Sequence, residues 1–141
     1  MSRSILIIAV IIANSFCINA QKLTIKIGGI RNTKGTIKLA FFTNNDDFKS
    51  EKPTIEKIVD KNFVRNGFIC LNYTDIPKGT YGIALLDDEN EDGEMTFKCF
   101  VPVEGYGFSN YIHKGMSKPN FNKFSFKFDA DLIVIIKVKY I

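Results

Sequence analysis

Apolar and polar residues alternate along much of the chain, with the period of two that is typical of half-buried β-strands. The alternation is strict in Leu23–Ile27 and in Phe124–Phe128, and we interpret the C-terminal run Leu132–Tyr140 as a further long strand of this kind. Two further runs, Thr36–Thr43 and Thr80–Leu86, continue the pattern, and the second is apolar enough to lie in the centre of a sheet. No segment shows the 3.6-residue period of a convincing amphipathic helix. The pattern therefore predicts an all-β protein.

Turn-forming residues separate the predicted strands. A turn at Arg31–Gly35 is expected to join the strands on either side of it into a hairpin, and Asn66-Gly67 is a dipeptide typical of tight turns. Two shorter runs, Thr54–Val59 and Phe68–Thr74, bring the count to seven or eight strands. Regularly spaced strands of this kind predict an antiparallel β-sandwich, with a small barrel as the alternative.

Three segments do not follow the strand pattern. Asp46–Ser50 has room for one helical turn, residues 87–94 form an acidic loop, and residues 105–123 are rich in glycine and aromatic residues. We expect the last of these segments to be irregular, because glycine-rich stretches rarely form regular strands.

The first twenty residues have the pattern of a secretory signal peptide. Arg3 precedes the unbroken apolar run Ile5–Ala13, and a small residue, Ala20, stands before a polar one. The apolar run is shorter than the about 20 residues that a spanning helix needs. We therefore expect residues 1–20 to be cleaved off as a signal peptide. The remaining residues, 21–141, would form one sandwich domain without a transmembrane span, secreted or held in the periplasm or cell envelope.

Cys17 offers a second interpretation of this N-terminus, a lipidated cysteine, although the bulky Phe16 precedes it. An uncleaved membrane anchor is a third interpretation, and all three place the domain outside the cytoplasm. Cys70 and Cys99 are the other two cysteines. An even pair in an exported chain permits one disulfide, and we favour two separate thiols.

Composition excludes several functional classes. Hydrophobic residues make up 45% and charged residues 24%, the balance of an ordinary globular protein. The net charge of +4 is too small to indicate nucleic acid as a partner, and the lysines, Lys61 among them, are spread along strands and turns as if on solvated faces. A single histidine excludes a histidine-rich metal centre.

Residues 88–93 match the opening of a calcium loop, D-x-[DN]-x-[DN]-G. In such a loop alternate side chains turn their oxygens inward, the glycine permits a sharp turn, and the next residue offers a backbone carbonyl. An EF-hand would close with a glutamate at the twelfth position, where this chain has Cys99, so a distant acid such as Glu104 or Asp87 would have to complete the shell. The predicted metal ligands are Asp88, Asn90, Asp92, Glu94 and Glu104.

The competing interpretation of this loop is a solvated hairpin tip, because Asp, Asn and Gly are common turn residues in any case. Both interpretations stay open. A calcium ion bound here would have a structural role, because extracellular modules bind calcium only at about 10⁻⁴–10⁻³ M.

Residues 104–115 are a second candidate site. Gly105 and Gly107 allow unusual backbone conformations or the close approach of a ligand. Aromatic rings would stack on a sugar or a peptide, and polar side chains would hydrogen-bond to it. The predicted ligand-binding residues are Tyr106, Phe108, Ser109, Asn110, Tyr111 and His113. The alternative is a long loop folded back on the sandwich, with its rings filling the edge of the core.

Ser109 and His113 also raise a catalytic alternative, a small secreted hydrolase that uses residues 104–113. A triad needs an activated nucleophile, an oriented base and an oxyanion hole, and no motif here marks Ser109 as activated. We therefore predict a non-catalytic protein with a binding or structural role. Its ligand would be an unidentified extracellular or periplasmic carbohydrate or protein.

Several motifs, taken in order, resemble the DUF2141 family of exported bacterial proteins, which has no established function. They cover nearly the whole of the expected mature chain, and the Glu-Gly-Tyr-Gly-Phe-Ser-Asn segment is the most specific of them. The motifs are Leu23-Thr-Ile, Gly29-Ile-Arg-Asn-Thr-Lys-Gly35, Ala40-Phe-Phe42, Asp75-Ile-Pro-Lys-Gly-Thr-Tyr81, Asp87-Asp-Glu-Asn-Glu-Asp-Gly93 and Pro102-Val-Glu-Gly-Tyr-Gly-Phe-Ser-Asn110. The resemblance implies an exported sandwich of immunoglobulin-like or transthyretin-like character. It implies no activity, and Met95-Thr96 stand where family members often carry an Asp.

Overall fold

The computed structural model describes residues 20–141, which contain ten β-strands, one short α-helix and two 3₁₀ turns. The predicted signal peptide and the alternative at Cys17 fall outside these described residues. The helix α1 spans Asn45–Lys49, and the 3₁₀ turns span Lys61–Phe63 and Phe121–Lys123. The strands are β1 (Leu23–Gly28), β2 (Thr36–Phe42), β3 (Ile55–Asp60), β4 (Ile69–Tyr73), β5 (Gly79–Asp88), β6 (Phe97–Lys98), β7 (Val101–Pro102), β8 (Gly105–Phe108), β9 (Ser125–Phe128) and β10 (Leu132–Lys137).

Eight of these strands form the two sheets of a β-sandwich, which confirms the predicted fold class. The larger sheet has the order β3-β2-β5-β8, and β9 pairs with the first half of β5. All of its pairs are antiparallel, and β5 lies at its centre, as its apolar sequence predicts. The remaining two strands, β6 and β7, form a separate small hairpin.

The smaller sheet has the order β10-β1-β4, and one of its pairs is parallel. β1 runs antiparallel to β4 but parallel to β10, so the prediction of a purely antiparallel sandwich is wrong at this pair. β1 and β10 come from opposite ends of the described chain. Strands so far apart in sequence carry no local turn signal that would reveal their relative direction.

The predicted hairpin of β1 and β2 is also wrong, because the two strands lie in different sheets. After β1 the chain turns at Gly29, which has a φ of 83°, a conformation that favours glycine. The backbone oxygen of Val138 lies only 2.9 Å from the position that a Cβ atom of residue 29 would occupy. The segment Arg31–Gly35 therefore crosses between the sheets instead of closing a hairpin.

The main core fills the space between the two sheets. Alternate residues of each strand point into it, as the period of two requires. Ile25 of β1, Leu39 and Phe41 of β2, Ile83 of β5 and Ile136 of β10 are all completely buried. This alternation is what the sequence pattern predicted.

A second, smaller apolar cluster covers the outer face of the larger sheet. Phe42 of β2 and Phe108 of β8 pack there against Phe48 of α1, with Phe121 and Phe124 from the C-terminal loop. The rings of Phe48 and Phe124 lie 4.9 Å apart in an edge-to-face arrangement. The segment that follows β8 is therefore a covering layer over the sheet.

Two further predictions concern the surface of the domain. Cys70 and Cys99 are both exposed free thiols, in line with the interpretation that we favoured. Among the described residues, no helix has the length and apolar character that crossing a membrane requires.

Candidate metal centre

Three acidic side chains meet at one end of the larger sheet. Asp88 is the last residue of β5, and Glu104 immediately precedes β8. These strands are antiparallel neighbours with Asp87 opposite Gly105, so the register also brings Asp88 and Glu104 together. Asp92 reaches the same place from the loop that follows β5. One carboxylate oxygen from each of the three residues lies within 4.8 Å of the others.

Two of the three carboxyl groups are almost completely buried. Asp88 is 3% exposed and Glu104 is 4% exposed, whereas Asp92 lies at the surface. Burying a carboxylate is costly unless other groups compensate for the water it loses. The described residues form no salt bridge to any of the three carboxyl groups. The cluster therefore concentrates negative charge in a partly dry environment.

Backbone amides of the loop orient the two buried carboxylates. Asp88 accepts hydrogen bonds from the N–H of Asp92 at 3.2 Å and of Gly93 at 2.8 Å. Glu104 accepts hydrogen bonds from the N–H of Glu89 at 3.1 Å and of Thr96 at 3.0 Å. A carboxylate oxygen that accepts one such bond keeps a second lone pair. These bonds therefore fix the directions of the oxygens and still leave capacity for a cation.

The other two predicted ligands have different positions. The side-chain amide of Asn90 donates hydrogen bonds to Asp92 at 2.8 Å and to the Thr96 hydroxyl at 3.1 Å. Its carbonyl oxygen accepts a hydrogen bond from the backbone N–H of Asp92. Glu94 has an exposed side chain, and its backbone N–H donates to Asp92 at 2.9 Å. Both residues thus hold Asp92 in place.

The chemistry of the donor set favours a hard cation. All of the candidate atoms are oxygens, which are the ligands that calcium and magnesium prefer. An open cleft of about 310 Å³ lies beside the cluster and is lined in part by Arg31, Asn90 and Glu104. A hydrated ion would reach Glu104 through this cleft and would still need further oxygens, from backbone or water, to complete a calcium shell of about 6–8 ligands.

A buried ion pair lies next to the acidic cluster and was missed by the sequence analysis. Lys61 and Asp87 are both completely buried and form a salt bridge, and the hydroxyl of Tyr140 donates a hydrogen bond to the second oxygen of Asp87. The interpretation of Lys61 as a solvated surface lysine is therefore wrong. Burial, together with the Asp87 carboxylate, raises the pKa of Tyr140 above its usual value.

The period of two explains how this pair comes to lie inside. Lys61 follows the inward-facing Val59 by two residues, and Asp87 follows the inward-facing Leu85 by two. Tyr140 likewise stands two residues after the buried Val138. Extending the alternation by one step would have placed all three side chains at the same end of the core.

Arg31 connects this region to the acidic loop. Its guanidinium donates to Glu89 at 2.6 Å and to the backbone oxygen of Val103 at 3.1 Å, and lies 4.4 Å from the centre of the Tyr140 ring. The hydrogen bond from Arg31 holds the pKa of Glu89 below its usual value, and the same bond raises the pKa of Arg31. Asp87 and Glu89 are thus paired with cations, in contrast to the three cluster acids.

Two of the predicted ligand-binding residues are buried in the packing of the domain. Ser109 is 0% exposed, and its hydroxyl donates to the backbone oxygen of Phe124 at 2.6 Å and accepts from the N–H of Ile83 at 2.9 Å. Phe108 is 9% exposed and belongs to the outer apolar cluster. Both side chains are packed inside the domain and are not exposed on its surface. Their role in ligand binding stays a prediction that this burial does not support.

The other four predicted ligand-binding residues also make contacts within the domain. Tyr106 and Tyr111 are half-buried against the outer cluster. Asn110 has a φ of 51° and accepts a hydrogen bond from the backbone N–H of Ile135 at 2.9 Å. The His113 ring lies 2.5 Å from the backbone oxygen of Ser117. The segment therefore has the form of the alternative interpretation, a loop folded back on the sandwich.

The glycines of this segment make close approaches to another strand. A Cβ atom on Gly107 would lie 2.7 Å from the side chain of Ile136 and 2.8 Å from the backbone oxygen of Lys137. Neither Gly105 nor Gly107 has a positive φ. Gly107 therefore allows β8 to pack closely against β10, and the close approach is to protein and not to a ligand.

A family model for an uncharacterized protein conserved in bacteria, DUF2141, matches residues 25–135. The chain belongs to this family. The match confirms the resemblance seen in the sequence. The matched range includes both candidate sites of this chain, the acidic loop at residues 87–94 and the aromatic segment at residues 104–115. Searches of the curated proteins and of the solved structures found no match to this chain.

Proposed function

We propose that this DUF2141 protein is an exported, non-catalytic β-sandwich that binds a calcium ion at Asp88, Asp92 and Glu104. The ion has a structural role, and the protein acts by binding or by its structure at the cell envelope or outside the cell. The observation that carries the proposal is the convergence of three carboxylate oxygens within 4.8 Å, two of them on nearly buried residues.

Electrostatics supports a cation at this position. Three carboxylates this close together repel one another, and the repulsion is stronger for the two that are shielded from water. A divalent ion bound between the carboxylates would offset this repulsion by attracting all three. The backbone amides that donate to the carboxylates stabilise their negative charge only in part. The match to the calcium-loop motif is independent of this geometry, since it depends on sequence spacing alone.

A bound ion would link segments that are distant in sequence. Asp88 ends the central strand, Asp92 lies on the loop, and Glu104 begins the segment that pairs with both sheets through Tyr106 and Ser109. Binding to the folded state alone stabilises it by RT ln(1 + [L]/Kd). The ion would therefore fix the loop to the sandwich, which suits a weak structural site.

The positions of Ser109 and His113 support a non-catalytic role. The Ser109 hydroxyl is buried and forms hydrogen bonds with backbone partners, and the His113 Nε2 atom lies 2.5 Å from the Ser117 backbone oxygen. A hydrolase would need the serine to face substrate and the histidine to accept its proton. The hydrolase alternative therefore gains no support from this geometry.

The first test is thermal unfolding of the protein in EDTA and in millimolar calcium, for the wild type and for Asp92→Asn. Calcium at ten times Kd stabilises the wild type by about 1.4 kcal/mol, which raises Tm by several degrees in a domain of this size. Asp92→Asn is expected to lose most of this rise. In EDTA the same variant is expected to be as stable as the wild type or more so, because one repelling charge is gone.

Glu91→Gln is the matched control for this test. Glu91 is an exposed acid on the same loop and lies outside the cluster, so its loss changes the net charge equally. The control should keep the full rise in Tm. If calcium raises Tm equally in Asp92→Asn and in the wild type, or leaves the wild type unchanged at about 10 times the weakest expected Kd of 10⁻³ M, the calcium site is rejected.

A further inference from the structure

The buried contact between Lys61 and Asp87 leaves the charged atoms of the pair short of hydrogen bonds. Both side chains are 0% exposed and touch each other. Apart from that contact, neither the Lys61 Nζ atom nor the Asp87 Oδ1 atom has a hydrogen-bond partner among the described residues. An ammonium group has three N–H donors, and buried donors without partners are rare in folded proteins. The surroundings therefore stabilise the charged form of this pair poorly.

A covalent bond between the two side chains would remove this cost. Condensation of an ammonium group with a carboxylate gives a neutral amide and one water molecule, so the reaction needs no oxidant, reductant or other reactant. The amide nitrogen keeps a single N–H, and both buried charges disappear. The dry surroundings that make the ion pair costly would also keep out the water that hydrolyses an amide.

Tyr140 lies where it can assist this reaction. Its hydroxyl donates a hydrogen bond to Oδ2 of Asp87, whereas Lys61 contacts Oδ1. The oxygen that faces the amine can therefore leave as water, while the other becomes the amide oxygen and keeps its hydrogen bond. A donor at that oxygen stabilises the negative charge that develops on it when an amine adds to the carbon. The fold also holds the two groups in contact, which in well-oriented intramolecular reactions equals an effective concentration of about 10⁵–10⁸ M.

We propose that Lys61 and Asp87 condense in the folded protein to form an isopeptide bond between Nζ and Cγ, assisted by the Tyr140 hydroxyl. One proton passes from the ammonium group to Oδ1, and the free amine then attacks Cγ. The Nζ–Cγ bond forms, the Cγ–Oδ1 bond breaks, and Oδ1 leaves as water with a second proton from the nitrogen. The product ties the 3₁₀ turn that follows β3 to the central strand β5. It requires no calcium and goes beyond the proposed ion site.

An exposed pair of the same residue types serves as an internal control. Lys57 and Asp75 also form a close ion pair, at 2.5 Å, but their side chains are 27% and 61% exposed. Water stabilises the charges of a surface pair, so these two side chains gain little by losing their charges. The pair is expected to stay unlinked, although its residues are as close as those of many buried pairs.

Mass spectrometry of the purified protein tests this proposal. The folded wild type is incubated in EDTA, so that failure of the calcium site would leave the result unaffected, and is then denatured and digested with trypsin. The digest is expected to contain residues 58–65 joined to residues 79–98, uncut after Lys61 and lighter than the two peptides together by one water molecule. The peptides that carry Lys57 and Asp75 should be recovered unlinked.

Tyr140→Phe removes only the assisting hydroxyl and is expected to slow the condensation about a hundredfold, so that uncondensed chain remains in the folded variant. Tyr106→Phe is the matched control, because Tyr106 packs on the outer face of the larger sheet, and it should condense like the wild type. The proposal is overturned if the folded wild type yields only separate peptides, or if the lost water maps to the Asp87 peptide alone. It is also overturned if Tyr140→Phe condenses as fast as the wild type.

Discussion

At the scale of single residues, the buried polar groups at one end of the core differ in how their charge is balanced. Asp87 is neutralised by Lys61 and receives a hydrogen bond from Tyr140, whereas its neighbour Asp88 has only backbone amides. The next acid, Glu89, pairs with Arg31. The negative charges of Asp87 and Glu89 are thus already balanced by cationic side chains of the protein. The charge of Asp88 is not, so this carboxylate has capacity to bind a cation.

Removing one member of the buried pair should be costly. Lys61→Met is expected to lower the free energy of unfolding by about 3–5 kcal/mol, because it leaves the Asp87 charge buried without its cation. The double variant Lys61→Met/Asp87→Leu should lose much less than the sum of the two single changes. Urea unfolding of the four proteins in this cycle measures both quantities.

Lys57→Met is the control for this cycle, because Lys57 forms its ion pair with the exposed Asp75. Surface pairs contribute about 0–1 kcal/mol, so this change should be small. If Lys61→Met costs no more than Lys57→Met, Lys61 does not form a dry ion pair in solution.

At the scale of secondary-structure elements, β8 connects the two sheets. It pairs along its length with β5, and Tyr106 exchanges two backbone hydrogen bonds with Lys139, at 3.0 and 2.8 Å. The Asn110 backbone N–H donates to Ile135 of β10 at 2.8 Å. β8 and the residues beside it thus close one side of the sandwich, and they carry Glu104 at their start.

The close contact between β8 and β10 depends on the absence of a side chain at Gly107. Gly107→Ala is expected to destabilise the domain by about 1–3 kcal/mol, because the added methyl group meets both a side chain and the backbone of β10. Gly79→Ala, whose methyl group would lie nearest to the Tyr81 side chain, at 3.3 Å, should cost less. Equal Tm values for the two variants would contradict this packing of β8.

The positions of most strands could be predicted from the sequence, because a strand depends on the local alternation of apolar and polar residues. Which strands pair with each other could not be predicted, because pairing depends on residues far apart in the chain. The side chains of β1, β2 and β5 that point into the core are the ones that the period of two predicts. The parallel pairing of β1 with β10 depends on contacts between opposite ends of the chain. The β6–β7 hairpin was missed because Cys99-Phe100 is not a dipeptide that signals a tight turn.

The candidate site could be predicted in part for the same reason. Asp88 and Asp92 belong to one short motif, whose spacing is visible in the sequence. That Glu104 lies beside them depends on the register of β5 against β8. Lys61 was misjudged because lysine is rarely buried, and residue type was given more weight than its place in the alternation. The role of these acids as metal ligands stays a prediction.

At the scale of the whole molecule, the candidate functional features lie together at one end of the sandwich. The acidic cluster and the buried ion pair both adjoin the end of β5 or the segment that leads into β8. Export of the domain, and cleavage after Ala20, stay predictions because they depend on residues outside the described part of the chain.

The most direct test of the calcium site is a titration of the ¹⁵N-labelled protein with calcium, followed by two-dimensional NMR of its backbone amides. The proposed site predicts saturable shifts that are largest for the amides that bond to the cluster, those of Glu89, Asp92, Gly93, Glu94 and Thr96. The expected Kd is about 10⁻⁴–10⁻³ M. No saturable shift, or shifts confined to other acidic surfaces such as Asp46 and Asp47, would contradict the proposed calcium site.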